Sequence, residues 1–197
     1  MIKIIDNLLT PSYADAIEQD VRQLHYLYSA ETSYYTGKDA IIKTDMTFDV
    51  GQFVCPILPA VNHQITPHSN YFNSLKPLVY TIQDVFSELK LTDVVRIKTN
   101  LLLQANIPEG HYNVPHQDAN HECYTMVYYC NDSDGDTFLF EEFWEDDSNL
   151  PNKLTVRQRI TPKKNRLVLF ESNRYHASSN PSKNKERFVI NIVMVHD

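Results

Sequence analysis

The strongest constraint on this chain is a succession of short β-rich runs in its second half, at 94–104, 124–130, 137–143, 156–160, 166–171 and 187–195. Polar or proline-containing turns separate them, and that spacing predicts an all-β barrel or sandwich with helices packed outside it. The helices come first. Thr10-Pro11 makes an N-cap and first-turn pair, and Tyr13, Ile17, Val21, Leu24 and Tyr28 recur behind it at helical spacing, which predicts a helix over 11–28. A second helix is predicted from near Ser74, with Pro77 tolerated in its first turn and Leu75, Leu78, Val79, Ile82, Val85, Phe86 and Leu89 as its apolar stripe. Between them, residues 30–73 are rich in Tyr, Asn, Thr and Pro and read as long loops with one or two edge strands. No repeat or linker divides the chain. One domain is expected over 1–197, with 1–93 as helical and loop support and 94–197 as the β core.

Composition excludes several classes. The 197 residues carry 18 Lys and Arg against 25 Asp and Glu, a formal charge of −7, which disfavours general nucleic-acid binding. Gly37, Gly51, Gly110 and Gly135 are too far apart to write a phosphate-binding loop or a dinucleotide fingerprint. Cys55, Cys123 and Cys130 are an odd count with no paired spacing and read as reduced thiols in a cytoplasmic compartment. The first residues lack the pattern of a secretory leader, and the longest uncharged stretch, Gln52 to Leu75, is broken by prolines. A soluble protein without membrane attachment is expected.

Two charged segments adjoin. Asp132, Asp134, Asp136, Glu141, Glu142, Glu145, Asp146 and Asp147 are followed by Lys153, Arg157, Arg159, Lys163, Lys164 and Arg166. Neighbouring strands with complementary exposed charges explain this pattern, and the sharper reading is an acidic arm that receives a cationic substrate.

The stretch that carries chemistry is Tyr112-Asn-Val-Pro-His116-Gln-Asp118. In an extended chain, residues i and i+2 share a face, so His116 and Asp118 present an imidazole and a carboxylate together. A third ligand must come from elsewhere, and His176 follows the strand-like run Arg166–Phe170. Two His and one carboxylate on one side of a metal suit non-haem Fe(II), and Zn(II) accepts the same ligands. Arg187 opens the most β-rich run of the chain, where a buried guanidinium needs a partner and its planar fork suits a carboxylate.

In that order, His116-x-Asp118, His176 and Arg187 resemble the Fe(II)/2-oxoglutarate-dependent oxygenases, and the prolyl 4-hydroxylase-like branch above all. Tyr124–Asn131 resembles the strand after that branch's first metal ligands. Gly135-Asp-Thr-Phe-Leu-Phe140 stands where the family usually has a Gly-Gly pair, and Asn165-Arg-Leu-Val-Leu-Phe170 resembles the run before its distal His. The resemblance covers roughly residues 94–197. It implies a mainly β (α+β) fold, a double-stranded β-helix or jelly roll with the N-terminal helices buttressing the larger sheet.

It also implies Fe(II) at His116, Asp118 and His176, the distal carboxylate of 2-oxoglutarate at Arg187 and Tyr129, and weaker cosubstrate contacts at Asn191 and Gln104. No catalytic residue is expected beyond the metal site. Dioxygen is the second cosubstrate, and ascorbate dependence is left open. A C–H bond is hydroxylated with release of succinate and CO2, with a prolyl residue of a peptide or protein as first candidate and a basic or proline-containing partner.

Two departures stand out. The His176–Arg187 spacing is longer than in the animal hydroxylases, which lets Lys185 compete for the anchoring role. Val193 stands where the nucleobase-demethylating branch carries a second Arg. The alternatives are a cupin-like metalloenzyme that does not use 2-oxoglutarate, a non-catalytic metal-containing binding domain and, locally, a zinc site at His116, His121 and Cys123.

Overall fold

The structure is a computed structural model that describes residues 1–32, 44–58, 60–61, 64–65, 70–119, 122–146, 150–151 and 153–197. In chain order its elements are β1 (Ile2–Asp6), α1 (Pro11–Val21), β2 (Leu27–Ser29), β3 (Gln52–Leu58), the pair β4 (Ala60–Val61) and β5 (Gln64–Ile65), and α2 (Tyr71–Val85). These are followed by β6 (Leu91–Leu103), β7 (Cys123–Tyr129), β8 (Thr137–Phe143), β9 (Val156–Ile160), β10 (Arg166–Glu171), β11 (Arg174–Ser178) and β12 (Glu186–His196). Among the described residues, no helix is long and apolar enough to cross a membrane.

Seven strands form one antiparallel sheet in the order β1-β10-β7-β12-β6-β3-β2, and three form a second in the order β11-β8-β9. This two-sheet arrangement is a jelly roll. A single bridge pairs His116 with His176, so the 112–118 segment runs along the free edge of β11.

Side-chain alternation assigns the layers. On β12, Phe188, Ile190, Ile192 and Met194 face α1 and α2, and with Met126, Tyr128, Leu167, Leu169, Ile97, Ile17 and Leu78 they make the main core. The other face of the same sheet meets the smaller sheet through Val127, Tyr129, Val168, Phe170 and Val189 against Leu139 and Ile160. The outer face of the smaller sheet is closed by Tyr112, Phe138, Phe140, Leu154 and Tyr175.

The helices depart from expectation in their ends. α1 stops at Val21 rather than 28: the Tyr26 hydroxyl donates to the Val21 carbonyl at 2.9 Å, and Leu27–Ser29 turn into the strand that pairs with β3. Leu24 still packs on the core, outside the helix. α2 starts at Tyr71, three residues earlier than predicted, which moves Pro77 from the first turn into the second.

The 30–73 stretch holds a seven-residue strand of the large sheet, β3, as well as short edge pieces. Pro56 interrupts the β3 pattern in the sequence. It is tolerated because β2 pairs only as far as Val54, so the missing N–H faces an open edge. Gly135 is required by close approach: a Cβ there would lie 2.5 Å from the Ser179 carbonyl oxygen and 2.8 Å from the Pro181 nitrogen.

Candidate metal and carboxylate site

The site is built on the inward face of the large sheet and the facing edge of β11. His116, Asp118 and His176 each offer one ligand atom, and these atoms lie within 4.8 Å of one another. The local fold accounts for the convergence. His116 and His176 exchange backbone hydrogen bonds of 2.9 and 2.8 Å, which brings their rings to 4.4 Å between centroids. Two residues on, the Asp118 N–H donates to the Ser172 carbonyl at 2.9 Å, fixing the carboxylate beside them.

Each imidazole is aimed by a backbone carbonyl. Nδ1 of His116 lies 3.2 Å from the Val114 oxygen and Nδ1 of His176 lies 3.0 Å from the Arg174 oxygen. A carbonyl only accepts, so Nδ1 carries a proton and Nε2 is the nitrogen turned toward the cluster to offer a metal. Burial, and then the neighbouring His176, push the His116 imidazole down to about 3, so it is neutral at ordinary pH.

The Asp118 side chain is 2% exposed. Burial would raise its carboxyl, but Arg96, then His176 and Lys98, outweigh that and hold it well below the usual carboxylate range. Arg96 Nη2 pairs with Oδ1, while Thr125 Oγ1 and Asn191 Nδ2 each donate to Oδ2 at 3.0 Å. Arg96 also reaches Asn191 Oδ1 at 3.1 Å, which ties the set together. Two imidazole nitrogens and one ionised carboxylate are a donor set for Fe(II) or Zn(II).

A cavity runs from His116 and His176 to Arg187. Arg187 is buried, with Nη2 donating to Thr137 Oγ1 at 2.8 Å and its guanidinium 5.6 Å from the Tyr129 ring centroid. The Tyr129 hydroxyl donates to the same Thr137 oxygen at 2.7 Å. Among the described residues, Arg187 Nε has no hydrogen-bond partner. A buried cation with an unanswered N–H is costly, and a carboxylate entering the cavity answers it. The donor set and this orphaned N–H together fit a metal and a keto acid.

The remaining candidates fall elsewhere. Asn191 lines the cavity, but its amide is engaged by Asp118 and Arg96. Gln104 is exposed, and its Nε2 donates to the Ser182 carbonyl at 2.8 Å, away from the cavity lining. Lys185 is exposed and lines a separate surface groove with Glu18, Arg22 and Lys164. Cys123 is buried at the start of β7, and the His121 of the local zinc alternative lies outside the described residues. The acidic segment is largely engaged within the chain. Asp136 pairs with Arg159 and Glu141 with Arg157 across β8–β9, Asp132 accepts from Lys164 N–H, and Glu142 accepts from Thr155 N–H.

Sequence reasoning passed over Arg96, Lys98, Thr125 and Thr137. A signal for the first two was present: Arg96, Lys98 and Asn100 alternate with Ile97, Thr99 and Leu101 on one strand, a polar stripe on an inward face.

The comparisons agree with this arrangement. The sequence profile of the 2OG-Fe(II) oxygenase superfamily matches residues 102–194, the segment that spans both histidines, Asp118 and Arg187. The segment that carries the candidate site belongs to that superfamily. Its enzymes use Fe(II) and 2-oxoglutarate, and the His116, Asp118 and His176 cluster lies inside the matched segment.

Solved structures share the fold at low identity. A 2OG-Fe(II) oxygenase family oxidoreductase from Burkholderia pseudomallei is 12% identical with a TM-score of 0.67, over 98% of this chain and 84% of that one. A prolyl hydroxylase from Trichoplax adhaerens, in complex with a hypoxia inducible factor oxygen degradation domain peptide fragment, is 16% identical with a TM-score of 0.58, over 99% and 83%. A Pseudomonas putida prolyl-4-hydroxylase is 16% identical with a TM-score of 0.54, over 100% and 92%. No curated protein matches this chain by sequence.

Proposed function

We propose that this oxygenase hydroxylates a C–H bond of its substrate, with a prolyl residue of a peptide or protein as the first candidate. His116, Asp118 and His176 hold Fe(II), and Arg187 holds the distal carboxylate of 2-oxoglutarate. The observation that carries the reading is the meeting, in one cavity, of the two histidines of the three-ligand cluster with a buried arginine whose Nε finds no partner among the described residues. The likeness in fold to a prolyl hydroxylase bound to a peptide supports the substrate class.

When bound, Fe(II) and 2-oxoglutarate supply the oxidation: one oxygen atom of O2 enters the C–H bond, and the other enters succinate as CO2 leaves. The chain's residues prepare for it. The Val114 and Arg174 carbonyls hold the two imidazoles in one tautomer. Arg96, Thr125 and Asn191 keep Asp118 ionised and oriented. Tyr129 and Thr137 position the Arg187 guanidinium, and Val127, Val189 and Leu102 keep the cosubstrate's surroundings apolar.

The test is anaerobic titration of 2-oxoglutarate into the Fe(II)-loaded protein, read by the visible metal-to-ligand charge-transfer band. The band is expected in the wild type, absent in His116→Ala and formed only at much higher cosubstrate concentration in Arg187→Ala. No band in iron-loaded wild type sinks the reading.

A further inference from the structure

Lys98 is a cation of this cavity that no hydrogen bond or ion pair of the described residues engages, although the charge of Asp118 reaches it. It sits on the inward face of β6, between Arg96 and Asn100, paired across the sheet with Asn191. It lines the cavity together with His116 and His176, and both His116 and Asp118 feel its charge. Its neighbours are otherwise engaged. Arg96 is paired with Asp118, and the Asn100 amide donates to Gln52 Oε1 at 2.7 Å. Gln52 in turn donates to the Thr32 carbonyl at 2.8 Å, so this wall is polar and fixed. Among the described residues, no hydrogen bond or ion pair reaches the Lys98 ammonium.

Charge balance sharpens the point. With a divalent metal and dianionic 2-oxoglutarate in place, the positive charges at and beside the cavity, on Arg96, Lys98, Arg187 and the metal, outnumber the negative ones on Asp118 and the cosubstrate. Arg187 pairs across the sheet with Leu102, four residues along β6 from Lys98, or roughly 13 Å of strand. The two cations therefore stand at separate anchoring points, one on the cosubstrate side and one beside Asp118. A half-buried ammonium without a direct partner is unfavourable, and a compact point charge on a flexible stem suits a single carboxylate.

We propose that Lys98 is a specificity-determining residue that receives a carboxylate carried by the molecule to be oxidised. This rests on the oxygenase reading above and names the charge class of its substrate. The carboxylate has two sources, the α-carboxylate of a free amino acid or the side chain of an acidic residue in a peptide.

The experiment uses the full chain loaded with Zn(II) and 2-oxoglutarate, which binds without turnover, and saturation-transfer NMR. The probes are the free L-amino acids against their carboxamides, and end-blocked peptides containing Asp-Pro against the same peptides containing Asn-Pro. At least one carboxylate probe is expected to bind where its amide does not. Lys98→Met should weaken that probe about tenfold or more. Lys98→Arg should restore most of the loss, and 2-oxoglutarate affinity should stay within about twofold in both. Binding of free acids alone assigns the first source, and binding of the peptides alone assigns the second.

Three outcomes overturn the proposal: amides that bind as well as acids, no carboxylate probe that binds, or a Lys98→Met protein whose main loss is 2-oxoglutarate. The last would make Lys98 a cosubstrate anchor. The acid-against-amide comparison in the wild type decides the matter even where Lys98→Met fails to fold. Failure of 2-oxoglutarate to bind the wild type would break the oxygenase reading itself, and this proposal with it.

Discussion

The two faces of the seven-stranded sheet are made by the same strands, yet they do different work. Toward the helices, β12 presents Phe188, Ile190, Ile192 and Met194, all buried in an unbroken apolar layer. Toward the smaller sheet, the alternate positions of the same strand present Arg187, Val189 and Asn191, and β6 adds Arg96, Lys98 and Asn100. Burying apolar area stabilises the first face at roughly 25 cal/mol per Å². The second face carries buried cations and amides whose desolvation costs stability unless each is answered. The helix-covered face thus supplies the stability on which the polar face depends, and a site that requires an orphaned arginine is tolerable only on such a scaffold.

Adjacent residues of β12 test this division directly. Ile190→Ala opens a cavity in the helix-facing core and should lower unfolding stability by about 2–5 kcal/mol, read by denaturant titration. Its folded fraction should bind metal and 2-oxoglutarate as the wild type does. Asn191→Ala touches only the other face. It removes one donor to Asp118 and one acceptor from Arg96, and metal affinity should fall about 10–100-fold, read by competition with a chelator. Its stability should change by no more than about 1.5 kcal/mol, since Thr125 and Arg96 still hold Asp118. Equal stability losses in the two variants, with metal affinity intact in both, would erase the distinction between the faces.

What could be read from the sequence follows the same line. β8, β9 and β10 begin and end where their patterns predict, because local turns bound them: Asn165, for example, takes φ 64°, the left-handed conformation that Asn tolerates, just before β10. β1 was not predicted, although Ile2-Lys-Ile-Ile alternates, because its meaning as a strand comes from pairing with β10, far away in sequence. β11 was missed for a similar reason: Arg174–Ser178 is short and polar, and its partners are β8 and the His116 segment. The histidines and Asp118 were legible because i, i+2 spacing and residue chemistry suffice to nominate ligands. Arg96 and Thr125 were not, because their role is fixed only by the carboxylate they meet across the fold.

The loop between β11 and β12 joins the two sheets, since it links His176 on one to Arg187 on the other, and it offers the smallest effect of the series. Asp134 clasps it. Its carboxylate accepts from Ser182 N–H at 3.1 Å and Ser182 Oγ at 2.7 Å, from Lys183 N–H at 2.8 Å and from Asn184 N–H at 2.9 Å. Gln104 holds the same loop from the other side, through Ser182 and Lys185. Partial burial would raise the Asp134 carboxyl, but the bonds from Asn184, Ser182 and Lys183 bring it down to about 2 from an ordinary 3.8.

A carboxyl depressed on folding contributes stability above its unfolded value and loses it as pH falls through the folded one. Asp134 should therefore add on the order of 1–2 kcal/mol at neutral pH, a contribution that fades between about pH 4 and 2. Asp134→Asn, which turns one acceptor oxygen into a donor facing donors, should lower Tm at pH 7, and the difference from wild type should narrow as the pH drops through that window. The narrowing identifies the charge as the clasp. A difference that stays constant down to pH 2 would mean that the loop is held by shape, through the close packing of Gly135 on Ser179 and Pro181, and that the carboxylate is incidental to the distance between the metal ligands and Arg187.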